Sequence, residues 1–224
     1  MDSASFKPAQ IETIQILRYG LPIAAQEALT GVSFMVILAI LNSFGLIASA
    51  GVGIAEKICS IMFIVPGAIM SAVSAFSAQN VGAGKRERAK QSMYIGMTVT
   101  FLVGLCMFCI SFFQGAWLAG FFSKDQAVCL AAADYLKSYS IDCAIVGFNF
   151  SMMGYLNGNG KTGFVALQGI LSTFCIRIPV SYLMSKIPGV GLFQIGFATP
   201  LATVFAIILD ILYMKKGRND YQGC

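Results

Sequence analysis

Six stretches of mainly apolar residues, each long enough to cross a bilayer, fill most of this sequence. They lie near 18–42, 52–77, 92–114, 138–157, 163–185 and 191–214. A spanning helix needs about 20 such residues to cross roughly 30 Å of hydrocarbon. In lipid every backbone N–H and C=O must be bonded within the protein, so these stretches predict helices and not open strands. The class is therefore set before any motif is read: an all-α integral membrane protein with six transmembrane helices. Composition agrees, with 11% charged residues against roughly 25% in soluble domains.

Six crossings put both termini on one side. The segments expected on that side are 1–17, 78–91, 158–162 and 215–224. With Arg18 at the edge of the first stretch, they carry Lys7, Lys85, Arg86, Arg88, Lys90, Lys161, Lys215, Lys216 and Arg218. The opposite loops carry Lys124 and Lys186, with Lys137 at an edge. Basic residues accumulate on the cytoplasmic side, so both termini are expected there. The net charge of +5 thus reports topology, and no nucleic-acid partner is expected. No signal peptide is expected either, because Met1–Gln10 is polar and the first apolar stretch has full spanning length. Residues 115–137 are expected to form an amphipathic helix on the outer surface. Asp134 and Lys137 would be a solvated pair there.

Pro66, Pro179 and Pro200 fall inside spans, where a missing N–H kinks a helix. Gly154-x-x-x-Gly158 permits close helix contact. The charges within spans carry more information, because a charge at the bilayer centre costs at least about 2.5–3.5 kcal/mol. Glu27 lies roughly 14 Å along the first span and shares a face with Ile23, Thr30, Gly31 and Phe34. A carboxyl at that depth can exchange a proton or bind a cation. Asp142 shares a face with Asn149 and lies within roughly 6 Å of the depth of Arg177. That match suits an ion pair between two helices, and it equally suits a coupling site. Glu56–Lys57 reads as an interfacial pair, and Asp210 as a partner for Lys215 or Lys216.

Several chemistries are excluded. There is no His, and of seven Cys only Cys106 and Cys109 form a C-x-x-C pair, so metal and redox sites are not expected. Small apolar packing is the simpler role for these thiols. Gly158-Asn-Gly-Lys161-Thr162 is not a P-loop, since Tyr155 stands where the first Gly is required. The sequon Asn149-Phe-Ser151 is buried in a span. Without a GxSxG elbow or paired midplane acids, an enzyme is not expected.

Three phrases of the sequence resemble the MATE (multidrug and toxic compound extrusion) family. They are Gly20-Leu-Pro-Ile-Ala-Ala-Gln26, Ala78-Gln-Asn-Val-Gly-Ala-Gly84 and Leu156-Asn-Gly-Asn-Gly-Lys-Thr162. The approach Phe122-Ser-Lys-Asp125 and the pair Arg177 and Pro179 are also similar, so the likeness covers about residues 14–214. The resemblance implies a six-helix bundle, the C-terminal lobe of a twelve-helix antiporter in the bacterial inner membrane. It implies export of cationic or amphiphilic compounds in exchange for H⁺ or Na⁺, with no cofactor. It also implies cation or proton coupling at Glu27 and Asp142, a structural or coupling charge at Arg177, and a substrate cavity lined by Gln26, Thr30, Phe34, Asn149 and Met153. Many members place their acids at positions that here are Thr30 and Val146, so Glu27 and Asp142 inherit the role through shared faces. Expected partners are membrane lipid, a small-molecule substrate and a second six-helix lobe, either a missing N-terminal half or a second copy. A truncated, inactive fragment and a lipid-linked-sugar flippase are the alternatives.

Overall fold

The computed structural model describes residues 10–222; Lys7 and the remainder of the first nine residues, like Gly223 and Cys224, lie outside the described residues. The helices are α1 (Gln10–Asn42), α2 (Leu46–Met62), α3 (Ile64–Gly82), α4 (Arg86–Gly120), α5 (Gln126–Gly158), α6 (Thr162–Leu171), α7 (Ile178–Ser185), α8 (Leu192–Gly196) and α9 (Ala198–Gln222). A π turn, Ser172–Arg177, joins α6 to α7. These make six membrane-spanning units: α1, α2–α3, α4, α5, α6–α7 and α8–α9.

The three predicted kinks are present, and one cause accounts for them. A proline at position i cannot bond the carbonyl at i−4. Counting back four from Pro66 and Pro200 gives Met62 and Gly196, the residues that end α2 and α8. Counting back from Pro179 gives Cys175, inside the π turn.

Five of the units are apolar enough to cross a membrane on length and composition. The sixth, α5, carries Asp134, Lys137 and Asp142; protein buries Asp142 and partly covers Asp134, while Lys137 is exposed. This helix packs on α2, α3, α4, α6, α8 and α9. With Gly154 and Gly158 it meets α3 so closely that a Cβ at either would come within 2.5 Å of the Met70 or Ser74 carbonyl oxygen.

The surface helix expected over 115–137 is not formed. α4 continues to Gly120, and Asp125 caps α5 by accepting the Ala127 N–H at 2.9 Å. Residues 126–137 are the first turns of the central helix, with Tyr135 and Leu136 almost fully buried. Asp134 does not depend on Lys137: its Oδ2 accepts the Phe193 N–H at 3.2 Å, at the start of α8. The 78–91 loop also shrinks to Ala83-Gly84-Lys85, turned by Gly84 at φ +74. Its basic tail forms the first turns of α4.

The basic segments meet at one end of the bundle, as same-side loops must. Arg86, Lys90, Tyr155, Lys161 and Tyr213, drawn from α4, α5, α9 and the turn before α6, line one open cavity of about 380 Å³ there. Tyr19 of α1 lies beside Gly160 at the same end.

Candidate functional site

The interior of the lobe holds a polar cluster built around Arg177. The π turn sets this residue at the junction of α6 and α7, where it is only 6% exposed. Its Nη2 donates to the Tyr139 Oη of α5 at 2.5 Å. Its guanidinium lies 4.1 Å from the centre of the Phe34 ring of α1. Two carboxyls lie within its electrostatic reach, Glu56 of α2 and Asp142 of α5. Glu56 Oε1, Asp142 Oδ1 and Arg177 Nε are each buried without a hydrogen-bond partner. Thr199 and Thr203 of α9 turn their hydroxyls toward Tyr139 and Asp142. Four spanning units thus contribute to one site, and α1 closes it with an aromatic ring.

The local sequence explains why Glu56 faces inward. Val52, Ala55, Ile58, Cys59 and Met62 form the buried stripe of α2. Glu56 flanks that stripe, half-buried, whereas Lys57 is exposed. The expected interfacial Glu56–Lys57 pair is therefore split, with the acid toward Arg177 and the base away from it.

Of the residues predicted for coupling, Asp142 and Arg177 are in this cluster and Glu27 is not. The inward stripe of α1 runs Gln26, Ser33, Ile37 and Leu41. Glu27 is exposed, on the side of α1 that the lobe leaves uncovered. Gln26 packs on α6, where a Cβ at Gly169 would come within 2.5 Å of its Nε2. Thr30 Oγ1 donates to the Gln26 carbonyl at 2.9 Å. Asn149 and Met153 lie within the packing between α5 and α6. Asn149 Oδ1 accepts from Gln168 Nε2 at 3.1 Å, and Met153 packs with Leu156 and Val165. Asp210 does not pair with Lys215 or Lys216, which are exposed. It is 0% exposed, and neither carboxyl oxygen has a hydrogen-bond partner.

Sequence reasoning missed Glu56, Tyr139, Gln168 and Thr203. For Glu56 the signal was available: it lies beside an i, i+3, i+4 apolar stripe and Lys57 lies off it. For Tyr139 and the threonines there was none, since uncharged residues at spanning depth are ordinary. Among the described residues no group of three or more His, Cys, Asp or Glu is placed to hold a metal ion. In the cluster two carboxyls, Glu56 and Asp142, stand against one guanidinium.

Comparison with known proteins places this geometry in context. The family profile described as MatE matches residues 22–183. The probable multidrug resistance protein YpnP of Bacillus subtilis is 24% identical over 211 residues, covering 94% of this chain and 47% of its own length. The multidrug export protein MepA of Staphylococcus aureus is 24% identical, covering 95% and 47%. A MATE crystal structure in complex with MaL6 superposes with TM-score 0.90 at 14% identity, covering 100% of this chain and 51% of that one. The eukaryotic MATE transporter AtDTX14 gives TM-score 0.83 at 18% identity, covering 92% and 46%. The chain spans about half the length of the curated relatives it matches.

Proposed function

The chain belongs to the MatE family, a family of membrane transporters, and from that premise we propose that it is one lobe of a multidrug exporter. In this reading it moves cationic or amphiphilic compounds in exchange for H⁺ or Na⁺. The observation that carries the reading is the charge count inside the lobe. Glu56 and Asp142 face one Arg177. Two carboxylates against one guanidinium leave an unbalanced negative charge, and an uncompensated buried charge costs several kcal/mol. One proton or one Na⁺ removes the imbalance. An ion taken up there is the natural counterpart of substrate release.

Glu27 has a separate role in the proposal. In transporters built from repeats the substrate site lies at the repeat interface near the midplane. Glu27 sits on the uncovered side of α1, where a second lobe would complete such a cavity, and there it would meet cationic substrate or the coupling ion directly. Thr30 and Phe34 would carry the state of the interior cluster to that surface, through Gln26 and Arg177. Asn149 and Met153 would hold α5 against α6 behind it. The second lobe is an N-terminal half or a second copy. The lobe 18–214 would sit in the bacterial inner membrane, with 1–17 and 215–224 cytoplasmic.

The test is reconstitution of the chain with a second lobe in proteoliposomes loaded with a cationic dye. Dye movement is expected to follow an imposed H⁺ or Na⁺ gradient. Glu56→Gln and Asp142→Asn are expected to abolish gradient dependence, and Glu27→Gln to lower the rate. Gradient-driven efflux unchanged in all three variants would overturn the assignment. The second reading is a lobe that inserts without transporting. No efflux with any partner lobe or second copy would decide for that reading.

A further inference from the structure

A groove of about 520 Å³ runs along the outside of the bundle between α3 and α4. Ile69, Ala72 and Phe76 form one wall, and Ile95 and Val99 the other. Its polar lining is confined to the basic end, where Arg88, Gln91 and Ser92 frame the mouth. Arg88 and Gln91 are both exposed. The interior cluster lies elsewhere, reached from α1, which packs on α2, α6 and α7.

We propose that this groove binds one anionic phospholipid from the leaflet at the basic end, with its phosphate on Arg88 and one acyl chain along the α3–α4 wall.

Three observations carry the assignment. The first is length. Arg88 and Val99 bound the groove along α4 and lie eleven residues apart, or roughly 16 Å at 1.5 Å per residue. One leaflet of a roughly 30 Å hydrocarbon core is about 15 Å deep. The groove therefore runs from headgroup depth to the bilayer centre and stops. The second is polarity. A substrate path must carry polar groups through the centre, whereas here the polar residues occur only where a headgroup would sit. The third is charge. Arg88, the basic residue that lines the groove, is exposed at its mouth, and no acid is among the lining residues.

The energetics say which part of the lipid is recognised. Bulk tails are as apolar as the groove walls, so moving a tail from bilayer to groove gains little hydrophobic free energy. Selection therefore falls on the headgroup. A basic residue at a membrane surface contributes about 1 kcal/mol toward an anionic lipid, roughly a fivefold preference.

The experiment uses the whole chain reconstituted in phosphatidylcholine vesicles with spin-labelled phosphatidylglycerol or spin-labelled phosphatidylcholine. The readout is the motionally restricted fraction of each label. Phosphatidylglycerol is expected to be retained about fivefold more strongly than phosphatidylcholine. Arg88→Gln is expected to remove most of that preference. Ala72→Trp, which plugs an exposed wall of the groove, is expected to lower the restricted fraction of both lipids. Lys124→Gln, in the loop between α4 and α5, is expected to leave retention as in the unmodified chain. Equal retention of the two lipids by the unmodified chain would overturn the proposal. So would an unchanged preference in Arg88→Gln, or an unchanged restricted fraction in Ala72→Trp. A chain that runs as a dimer, with Ala72→Trp running as a monomer, would assign the groove to a second copy instead.

Discussion

Replacing Tyr139 with Phe removes one hydroxyl and little else. The ring stays packed beside Tyr135, with centroids 5.2 Å apart, in a site where Tyr139 is 1% exposed. What is lost is the bond from Arg177 Nη2 to Tyr139 Oη, together with the contact to the Thr199 hydroxyl. Arg177 already has an Nε without a partner, and at 6% exposure water does not readily replace the missing acceptor. Hydrogen bonds between membrane helices average about 0.6 kcal/mol by double-mutant cycle and reach about 1.7. Bonds to charged groups are stronger, about 1.5–3 kcal/mol. The Tyr139–Arg177 bond belongs near the top of the membrane range, so Tyr139→Phe is expected to cost about 1.5 kcal/mol. The assay is unfolding by sodium dodecyl sulfate in mixed micelles for Tyr139→Phe, Arg177→Met and the double variant. The cycle isolates the pair from other effects of losing the charge. A coupling below about 0.3 kcal/mol, within the scatter of independent sites, would refute the reasoning.

Three further outcomes follow from the same geometry. Asp210 is fully buried with both oxygens unpartnered, so Asp210→Leu is expected to raise the unfolding free energy by about 1–3 kcal/mol; destabilisation of that size would reveal a partner for the carboxyl. Gly154→Ala sets a methyl within 2.5 Å of the Met70 carbonyl oxygen and is expected to cost about 1–3 kcal/mol in the same micelle assay. Gly67→Ala, with nothing within 4 Å, is expected to be neutral or to stabilise by up to about 1 kcal/mol, and equal effects at the two glycines would sink the α3–α5 contact. In the efflux assay Lys57→Gln is expected to retain gradient dependence while Glu56→Gln loses it; matched losses would mean that the two residues act as a pair after all.

Much of the bundle was legible because the relevant physics is local along the chain. Pro66, Pro179 and Pro200 mark their breaks without help from neighbours, since each loses its own bond to i−4. Gly154 and Gly158 announced a close contact, although not that α3 is the partner. The outer segment 115–137 was misread because its charges imply water when read alone. In the folded chain Asp134 meets a backbone N–H of α8, and Tyr135 and Leu136 are core. A helix wrapped by other helices need not be apolar, so hydropathy is weakest at α5, the helix that matters most.

The sequence by itself determined the six crossings and the gathering of basic segments at one end. Lipid demands a fixed length of bonded backbone, and clustered Lys and Arg resist crossing. It also gave the approximate depth of each intramembrane charge, because rise per residue is constant. Only the tertiary structure decided which way those charges point. Rotation about a helix axis is settled by the packing of neighbours, and no single segment encodes it. That rotation turned Glu56 toward Arg177 and Lys57 away, and it buried Asp210 beyond reach of the lysines that follow it. It also left Glu27, the deepest-placed acid on the sequence reading, exposed on the outer side of α1.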